Sequence, residues 1–226
     1  MLTKAAALAH SVIYHSNSKM DKLKEKPDEL TLIGKGRSAY VFAFTDGDKQ
    51  KALKVFFPEF QATALKEAKI YEKLSGSPYY PDIYETGDTF ILMEYIKGYT
   101  FYNCLTKGIS INDGMIQQVE DALSEARAAG LNPSDIHLRN LILTKSGAVR
   151  VIDVARFNQS KTCTQWDDLK GAYNTLYKKP VFPKKIPAFW LEAIAFLYKK
   201  NWFQKSFSER KKKYSPFLLF TQTLLF

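Results

Sequence analysis

The pattern of apolar residues changes once along this 226-residue chain, near Gly98, and that change limits the possible folds more than any other feature. Before it, short apolar runs separated by turns predict β-strands, with one helix over about residues 58–74. Beyond it, apolar residues recur mainly at helical spacing, with a pair of short strands over about 141–144 and 149–152. A strand-rich half followed by a helix-rich half predicts an α+β fold with two lobes and a hinge near residues 94–98.

The length fits one domain spanning residues 1–226. Within it we expect a polar, helical N-terminal extension over residues 1–29, a strand-rich lobe over 30–96 and a helix-rich lobe over 97–226. With 46% hydrophobic and 25% charged residues, the composition is that of an ordinary globular protein. It excludes collagen-like, disordered and disulfide-stapled chains.

The chain contains two cysteines, Cys104 and Cys163, which lack a CxxC spacing. Two free thiols in a reducing compartment are the simplest interpretation. No stretch approaches the ~20 apolar residues that a transmembrane helix needs. We therefore expect a cytoplasmic protein without a transmembrane segment.

Basic residues are in excess, with a formal net charge of +10, and the excess is concentrated in residues 199–213. This basic segment favours an anionic partner, such as nucleic acid, an acidic protein or an anionic membrane surface. A solvated tail or helix face that keeps the chain soluble is the alternative, and the sequence leaves both open.

A glycine-bearing turn lies between the first two predicted strands of the strand-rich half. The turn runs from Ile33 to Val41, and from Gly34 onward it reads GxGxxAxV, with glycines at Gly34 and Gly36. Glycines can adopt positive φ and let backbone N–H groups approach phosphate oxygens. Because the turn joins two strands and not a strand and a helix, it argues against a dinucleotide-binding fold. A simple hairpin turn is the alternative.

A lysine, Lys54, lies among apolar residues of the predicted strand over about 52–57. A buried ammonium group without a partner is costly, so the side chain must be paired or reach a polar environment. Glu67 lies on the following helix beside its apolar face and is the candidate partner. An edge-strand lysine and a solvated glutamate are the alternative.

The most informative segment contains Asp135, Asn140 and Asp153, spaced by five and thirteen positions. A polar loop between a helix and a strand places the first two at one mouth, and the following hairpin brings Asp153 beside Asn140. Two oxygen ligands together with phosphates suit Mg²⁺, which retains water and prefers few protein carboxylates. Any one of these residues alone is more simply a helix cap.

With these residues the chain resembles the protein-kinase superfamily over roughly residues 32–168. The resemblance implies ATP and Mg²⁺ as cofactors and a two-lobed fold. The N-lobe would contain an antiparallel sheet with one main helix, and the C-lobe would be reduced and mostly helical. It also implies catalytic roles for Asp135, Lys54 and Glu67, and metal binding by Asn140 and Asp153.

The same resemblance implies a nucleotide-binding surface made largely by the strand-rich half. The backbone of Glu94 and Ile96 would meet the adenine edge, with Ile142 as its floor. The full set of residues implied to contact the nucleotide is Ile33, Gly34, Gly36, Val41, Ala52, Lys54, Met93, Glu94, Ile96 and Ile142.

The chain departs from typical protein kinases around the catalytic aspartate. Pro133-Ser134 replaces the usual His-Arg, the DFG motif reads Asp153-Val154-Ala155, and an APE motif is not present. The Asp-Ile-His stretch resembles Rio-type and lipopolysaccharide-type kinases, with His137 in place of the usual lysine. His137 either contacts the γ-phosphate or braces the loop. Overall the chain resembles compact bacterial serine/threonine kinases.

Three functional hypotheses follow from the resemblance. The first is a kinase that transfers the γ-phosphate of ATP to a Ser or Thr hydroxyl of a protein substrate. The second is a small-molecule kinase of the aminoglycoside or choline type, which would need an acidic acceptor pocket. The third is an ATP-binding pseudokinase that acts as a regulatory binding module, consistent with the departures from the kinase motifs.

Overall fold

The computed structural model describes residues 2–15 and 22–199, with side chains as far as Phe196. Two compact units divide the chain, Met1–Ile96 and Lys97–Phe226. Apart from the backbone of Lys199, the basic segment 199–213 lies outside the described residues. Among the residues that are described, no helix has both the length and the apolarity to cross a bilayer.

The first unit is built on a five-stranded antiparallel sheet in the order β3-β4-β5-β7-β6. A short strand pair, β1 with β2, and two helices accompany it. A 3₁₀ turn at Pro58–Phe60 leads into the second helix. The elements are α1 (Lys4–His10), β1 (Ile13–Tyr14), β2 (Leu23–Glu25), β3 (Thr31–Lys35), β4 (Ala39–Asp46), β5 (Lys49–Phe56), α2 (Gln61–Lys73), β6 (Ile83–Thr86) and β7 (Phe90–Glu94).

One face of this sheet is apolar and packs on α1. Phe42 of β4, Leu53 and Val55 of β5 and Leu92 of β7 form a buried cluster with Leu8 of α1. Because successive side chains of a strand point to opposite faces, the intervening residues of β4, β5 and β7 project from the other face. The apolar packing therefore fixes which residues face away from α1.

The helical extension expected over residues 1–29 is wrong for most of its described length. Only Lys4–His10 is helical, and the strand pair β1–β2 follows it. Tyr14 packs edge-on against Phe57 and its hydroxyl donates a hydrogen bond to the Val55 carbonyl. These contacts with the sheet favour extended backbone where the local polar pattern indicated a helix.

The second unit is mostly helical and contains one three-stranded antiparallel sheet, in the order β10-β9-β8. A turn of π-helix at Tyr173–Tyr177 continues its third helix. The elements are β8 (Gly98–Thr100), α3 (Phe101–Lys107), α4 (Asp113–Ala128), β9 (Leu141–Thr144), β10 (Val149–Val151), α5 (Gln165–Ala172) and α6 (Ala188–Lys199).

Strand β8 and helix α3 are not part of the sequence prediction. Strand β8 has three residues, all at least partly exposed, so it carries no alternation of apolar and polar side chains. Its position depends on Gly98, since a Cβ atom there would lie 2.3 Å from the Leu143 carbonyl oxygen.

The predicted fold class is confirmed. The chain is α+β, with one main helix beside an antiparallel sheet and a mostly helical second half.

We expect Gly98→Ala to destabilise the protein by about 1–3 kcal/mol, because the added methyl group would overlap the backbone of β9. Urea unfolding followed by circular dichroism measures the loss. Gly171→Ala is the matched control, since a Cβ atom at this helical glycine meets no atom within 4 Å. That variant should be neutral or slightly more stable. Equal unfolding midpoints for the two variants would contradict the close approach of β8 and β9.

Candidate active site

Several predicted nucleotide-binding residues share the face of the first sheet that points away from α1. Val41 on β4 is paired with Lys54 on β5, and Gly34 on β3 is paired with Val41. Ala52, two residues before Lys54, is paired with Met93 on β7. Residues directly opposite on paired strands, and residues two apart on one strand, project from the same face. The register therefore brings these five residues onto one surface.

The side chain of Lys54 is held by Glu67 of helix α2. Its Nζ atom lies 2.7 Å from Oε1 and 2.8 Å from Oε2 of Glu67. Both residues are buried, with Glu67 0% and Lys54 8% exposed. Strand β5 lies between β4 and β7, so Lys54 is not on an edge strand. These facts exclude the edge-strand and solvated-glutamate alternative and leave an ammonium group fixed on the sheet face.

The glycine-bearing turn has two glycines, Gly34 and Gly36, whose backbone conformation the structure defines. Neither Gly34 nor Gly36 has positive φ. The Gly36 N–H donates to the Ala39 carbonyl at 2.9 Å, and a Cβ atom on Gly36 would lie 3.0 Å from that oxygen. Glycine is thus needed at Gly36 for close backbone approach, and neither glycine uses the positive φ that it could adopt.

The remaining predicted nucleotide contacts of the first unit lie in the middle of β3 and at or just after the end of β7. Ile33 on β3 is exposed. Glu94 is the last residue of β7, and its N–H donates to the Asp82 carbonyl at 2.8 Å. Ile96 is the last residue of the unit. Their contact with adenine stays a prediction.

In the second unit, the two predicted phosphoryl-transfer aspartates share an uncommon backbone conformation. Asp135 has φ 64° and Asp153 has φ 62°, and among the described residues no other non-glycine residue has positive φ. Such conformations cost free energy and persist where the surrounding structure enforces them, often at functional sites. Aspartate tolerates this region better than most residues because its short polar side chain can bond locally.

Asn140 connects these two aspartates. Its Nδ2 donates to the Asp135 carbonyl at 3.1 Å, and its own carbonyl accepts from the N–H of Ile152, next to Asp153, at 2.8 Å. The residue is buried, with 7% of its surface exposed. Asp135, Asn140 and Asp153 are therefore brought together by hydrogen bonds through one side chain and one carbonyl.

The loop that carries Asp135 is anchored at both ends. The N–H of Asn132 donates to the Phe157 carbonyl at 2.7 Å, and the Leu138 carbonyl accepts from the N–H of Tyr102 at 3.0 Å. The hydroxyl of Ser134, which is buried, donates to the Asn132 carbonyl at 3.0 Å. Half-buried His137 bonds through its carbonyl to the N–H of Asn140. That contact is compatible with a bracing role, and the γ-phosphate role stays a prediction.

One residue of this site is not part of the sequence prediction. Arg156 forms an ion pair with Asp135, its Nε atom lying 3.2 Å from Oδ2. The sequence offers one signal for it, a basic residue three positions after Asp153. That signal is weak because nothing in the local pattern indicates which carboxylate the arginine meets.

The oxygen donors of the second unit fit Mg²⁺. Nδ2 of Asn140 is engaged by the Asp135 carbonyl, so its Oδ1 is the atom suited to a cation. Asp153 adds an exposed carboxylate on the adjoining backbone. Within the described part of the chain, no cluster of three or more His, Cys, Asp or Glu residues could hold a metal. One amide and one carboxylate are nevertheless sufficient for Mg²⁺, which completes its shell with phosphates and water.

The chain is similar to bacterial proteins named as kinases. It is 80% identical over 215 residues to a Bacillus subtilis (strain 168) protein named "Putative serine/threonine-protein kinase YrzF", covering 95% of this chain and 100% of that protein. It is 25% identical over 164 residues to serine/threonine-protein kinase PknD of Mycobacterium tuberculosis, covering 64% of this chain and 24% of PknD. No family model matches the chain.

We expect Glu67→Ala to destabilise the protein by about 3–5 kcal/mol, because it leaves the Lys54 ammonium buried without its carboxylate. Replacing both residues, as Lys54→Met with Glu67→Leu, should recover most of that loss. Free energies of unfolding from urea titration measure both variants. A double variant as unstable as the single one would show that shape, and not charge pairing, governs this position.

Proposed function

The chain belongs to the protein-kinase-like superfamily, and on that premise we propose that it is an ATP- and Mg²⁺-dependent phosphotransferase acting on a serine or threonine hydroxyl of a protein. The observation that carries the proposal is the hydrogen bonding of Asn140, which joins the backbone of Asp135 to that of Ile152, the residue before Asp153. Phosphoryl transfer requires mainly that the reactants are positioned and that phosphate charge is neutralised. This arrangement offers a carboxylate to position the acceptor, and an amide and a second carboxylate to bind the neutralising metal ion.

In the proposed reaction, the first unit binds the nucleotide. Lys54, held by Glu67, contacts the α- and β-phosphates, and the turn from Ile33 to Val41 covers them. Ala52 and Met93 contact the adenine ring from the same sheet face. The backbone of Glu94 and Ile96 meets the adenine edge, and the role of Ile142 as its floor stays a prediction of the resemblance.

The second unit carries the transfer step. Asp135 orients the acceptor hydroxyl and accepts its proton late in the transfer. Asn140 and Asp153 hold Mg²⁺ through their oxygen atoms. When bound, the ion neutralises phosphate charge. The positive φ of Asp135 and Asp153 is part of this pre-organisation, since the backbone of both residues is held in that conformation before substrate binds.

The second candidate function is an ATP-binding pseudokinase that acts as a regulatory module. The Asp135–Arg156 ion pair favours it, because a cation already occupies the carboxylate that would orient the acceptor. Incubating the protein with Mg-ATP and candidate acceptors separates the two. Phosphate transfer supports the kinase, and Mg²⁺-dependent ATP binding without turnover supports the pseudokinase.

We further propose a reducing, cytoplasmic location. Cys104 and Cys163 are both free cysteines. Burial raises the pKa of the Cys104 thiol to about 11, which keeps it protonated and unreactive at neutral pH. An anionic partner for residues 199–213 stays a prediction based on sequence alone.

We expect Asp135→Asn to reduce the transfer rate by about 10²–10⁴-fold while leaving ATP affinity unchanged, because the amide cannot accept the hydroxyl proton. Asparagine tolerates positive φ, so the loop conformation should be retained. Steady-state kinetics and fluorescent-nucleotide binding measure the two effects. Asp167→Asn, at an exposed aspartate of α5, is the matched control. Full activity of Asp135→Asn would rule out the assigned role.

We expect Asp153→Asn to raise the Mg²⁺ concentration needed for half-maximal ATP binding, because a charged ligand is replaced by a neutral one. The backbone conformation should again be tolerated. Titrating Mg²⁺ at fixed nucleotide gives this value without reliance on turnover. An unchanged Mg²⁺ dependence would place the metal elsewhere.

A further inference from the structure

We propose that Arg156 is a further catalytic residue, whose guanidinium group bridges the Asp135 carboxylate and the oxygens of the transferring phosphoryl group. The inference rests on the proposed function and adds to it the cation that stabilises charge at the reacting phosphorus. It also changes the meaning of the Asp135–Arg156 ion pair, which becomes a prepared part of the active site.

The geometry places the guanidinium group of Arg156 beside the position that the acceptor hydroxyl would take. Nε of Arg156 is 3.2 Å from Oδ2 of Asp135. A carboxylate that orients a hydroxyl lies within hydrogen-bond reach of it, and the hydroxyl oxygen in turn lies about 3–3.5 Å from the phosphorus before attack. A guanidinium group in contact with that carboxylate is therefore within reach of the phosphoryl oxygens.

Arg156 is more accessible than the residue it contacts. Its side chain is 48% exposed, against 23% for Asp135. An ion pair at such exposure contributes little to stability, so folding alone gives little reason for it. A half-exposed guanidinium can instead accept a second anion, since it has five N–H donors in a planar fork.

The backbone around Arg156 is fixed. Val154 and Phe157 on either side are fully buried, and the Phe157 N–H donates to the Val154 carbonyl at 2.9 Å. The Phe157 carbonyl accepts from Asn132, three residues before Asp135. The turn that carries the arginine and the loop that carries the aspartate are thus tied together, which fixes the backbone from which the Arg156 side chain reaches Asp135.

The loop that carries Asp135 has its own arginine, Arg139, which contacts other residues. Arg139 forms an ion pair with Glu192 of α6, and its guanidinium lies 3.9 Å from the ring centroid of Tyr102. The Tyr102 hydroxyl donates to the same Glu192 carboxylate at 2.7 Å. Arg139 therefore links the loop to α6, whereas Arg156 is the arginine that meets the catalytic carboxylate.

The chemical step balances with this assignment. The acceptor oxygen forms a bond to the γ-phosphorus as the bond from that phosphorus to the β,γ-bridging oxygen breaks. The electron pair of the broken bond leaves with ADP, and the hydroxyl proton passes to Asp135. Arg156 remains protonated throughout. Its positive charge stabilises the equatorial phosphoryl oxygens and keeps the Asp135 carboxylate oriented toward the hydroxyl.

Kinetics of Arg156 variants with Mg-ATP and an acceptor protein that the wild-type chain phosphorylates test the proposal. We expect Arg156→Gln to lower kcat by about 100-fold, the usual cost of losing one transition-state donor, with the KM for ATP unchanged. Arg156→Lys should recover part of the rate, because it restores the charge but not the fork. Arg127→Gln, at an exposed arginine of α4, is the matched control and should retain full kcat.

Chemical rescue separates catalysis from structural support. Millimolar guanidinium should restore part of the rate of Arg156→Ala and should not restore Asp135→Asn. If the wild-type chain transfers phosphate and Arg156→Gln has the same kcat, the role of Arg156 is overturned. The proposed function is then unaffected. A fall in kcat without guanidinium rescue, together with a lower unfolding midpoint, would also overturn it. A wild-type chain that transfers no phosphate would overturn both.

Discussion

The buried ion pair between Lys54 and Glu67 is the interaction on which the proposed nucleotide site of the first unit depends. Two charges removed from water are tolerated only when they are paired with good geometry, and Glu67 meets Lys54 through both carboxylate oxygens. This requirement ties helix α2 to the central strand β5. It also holds an ammonium group on the sheet face that points away from α1, next to Val41 and Ala52. The opposite face is committed to packing against α1.

The second unit holds its polar residues in place with hydrogen bonds to backbone groups. Asn140 is buried and uses its side chain and its carbonyl to hold together two segments whose aspartates, Asp135 and Asp153, are eighteen positions apart. The cost of this arrangement is visible in the positive φ of Asp135 and Asp153. Both units therefore hold polar groups in place before any ligand binds, one through buried charge and the other through hydrogen-bonded strain.

The segments that depart from typical kinase motifs form hydrogen bonds and ion pairs within the second unit. Where Pro133-Ser134 replaces His-Arg, Ser134 is buried and bonds within the loop, so the segment is anchored locally. Arg156 supplies the cation beside Asp135, from a position that the usual motif does not mark. The helix α6 is joined to the loop through Glu192, Arg139 and Tyr102. The proposed catalytic residue Asp135 is thus paired with a cation from another segment of the same unit.

The sequence by itself determined the α+β class, the main helix and strands, and the order of Lys54, Glu67, Asp135, Asn140 and Asp153. Hydrophobic periodicity and residue spacing are local properties, so they can be read directly from the chain. The strand pair β1–β2, the short strand β8 and the Asp135–Arg156 contact were decided only by tertiary structure. Each depends on groups distant in sequence: Tyr14 on the sheet, Gly98 against the β9 backbone, and Arg156 on a turn bonded to Asn132. Such contacts leave no periodic signal, because their free energy comes from packing and pairing that exist only once the chain has folded.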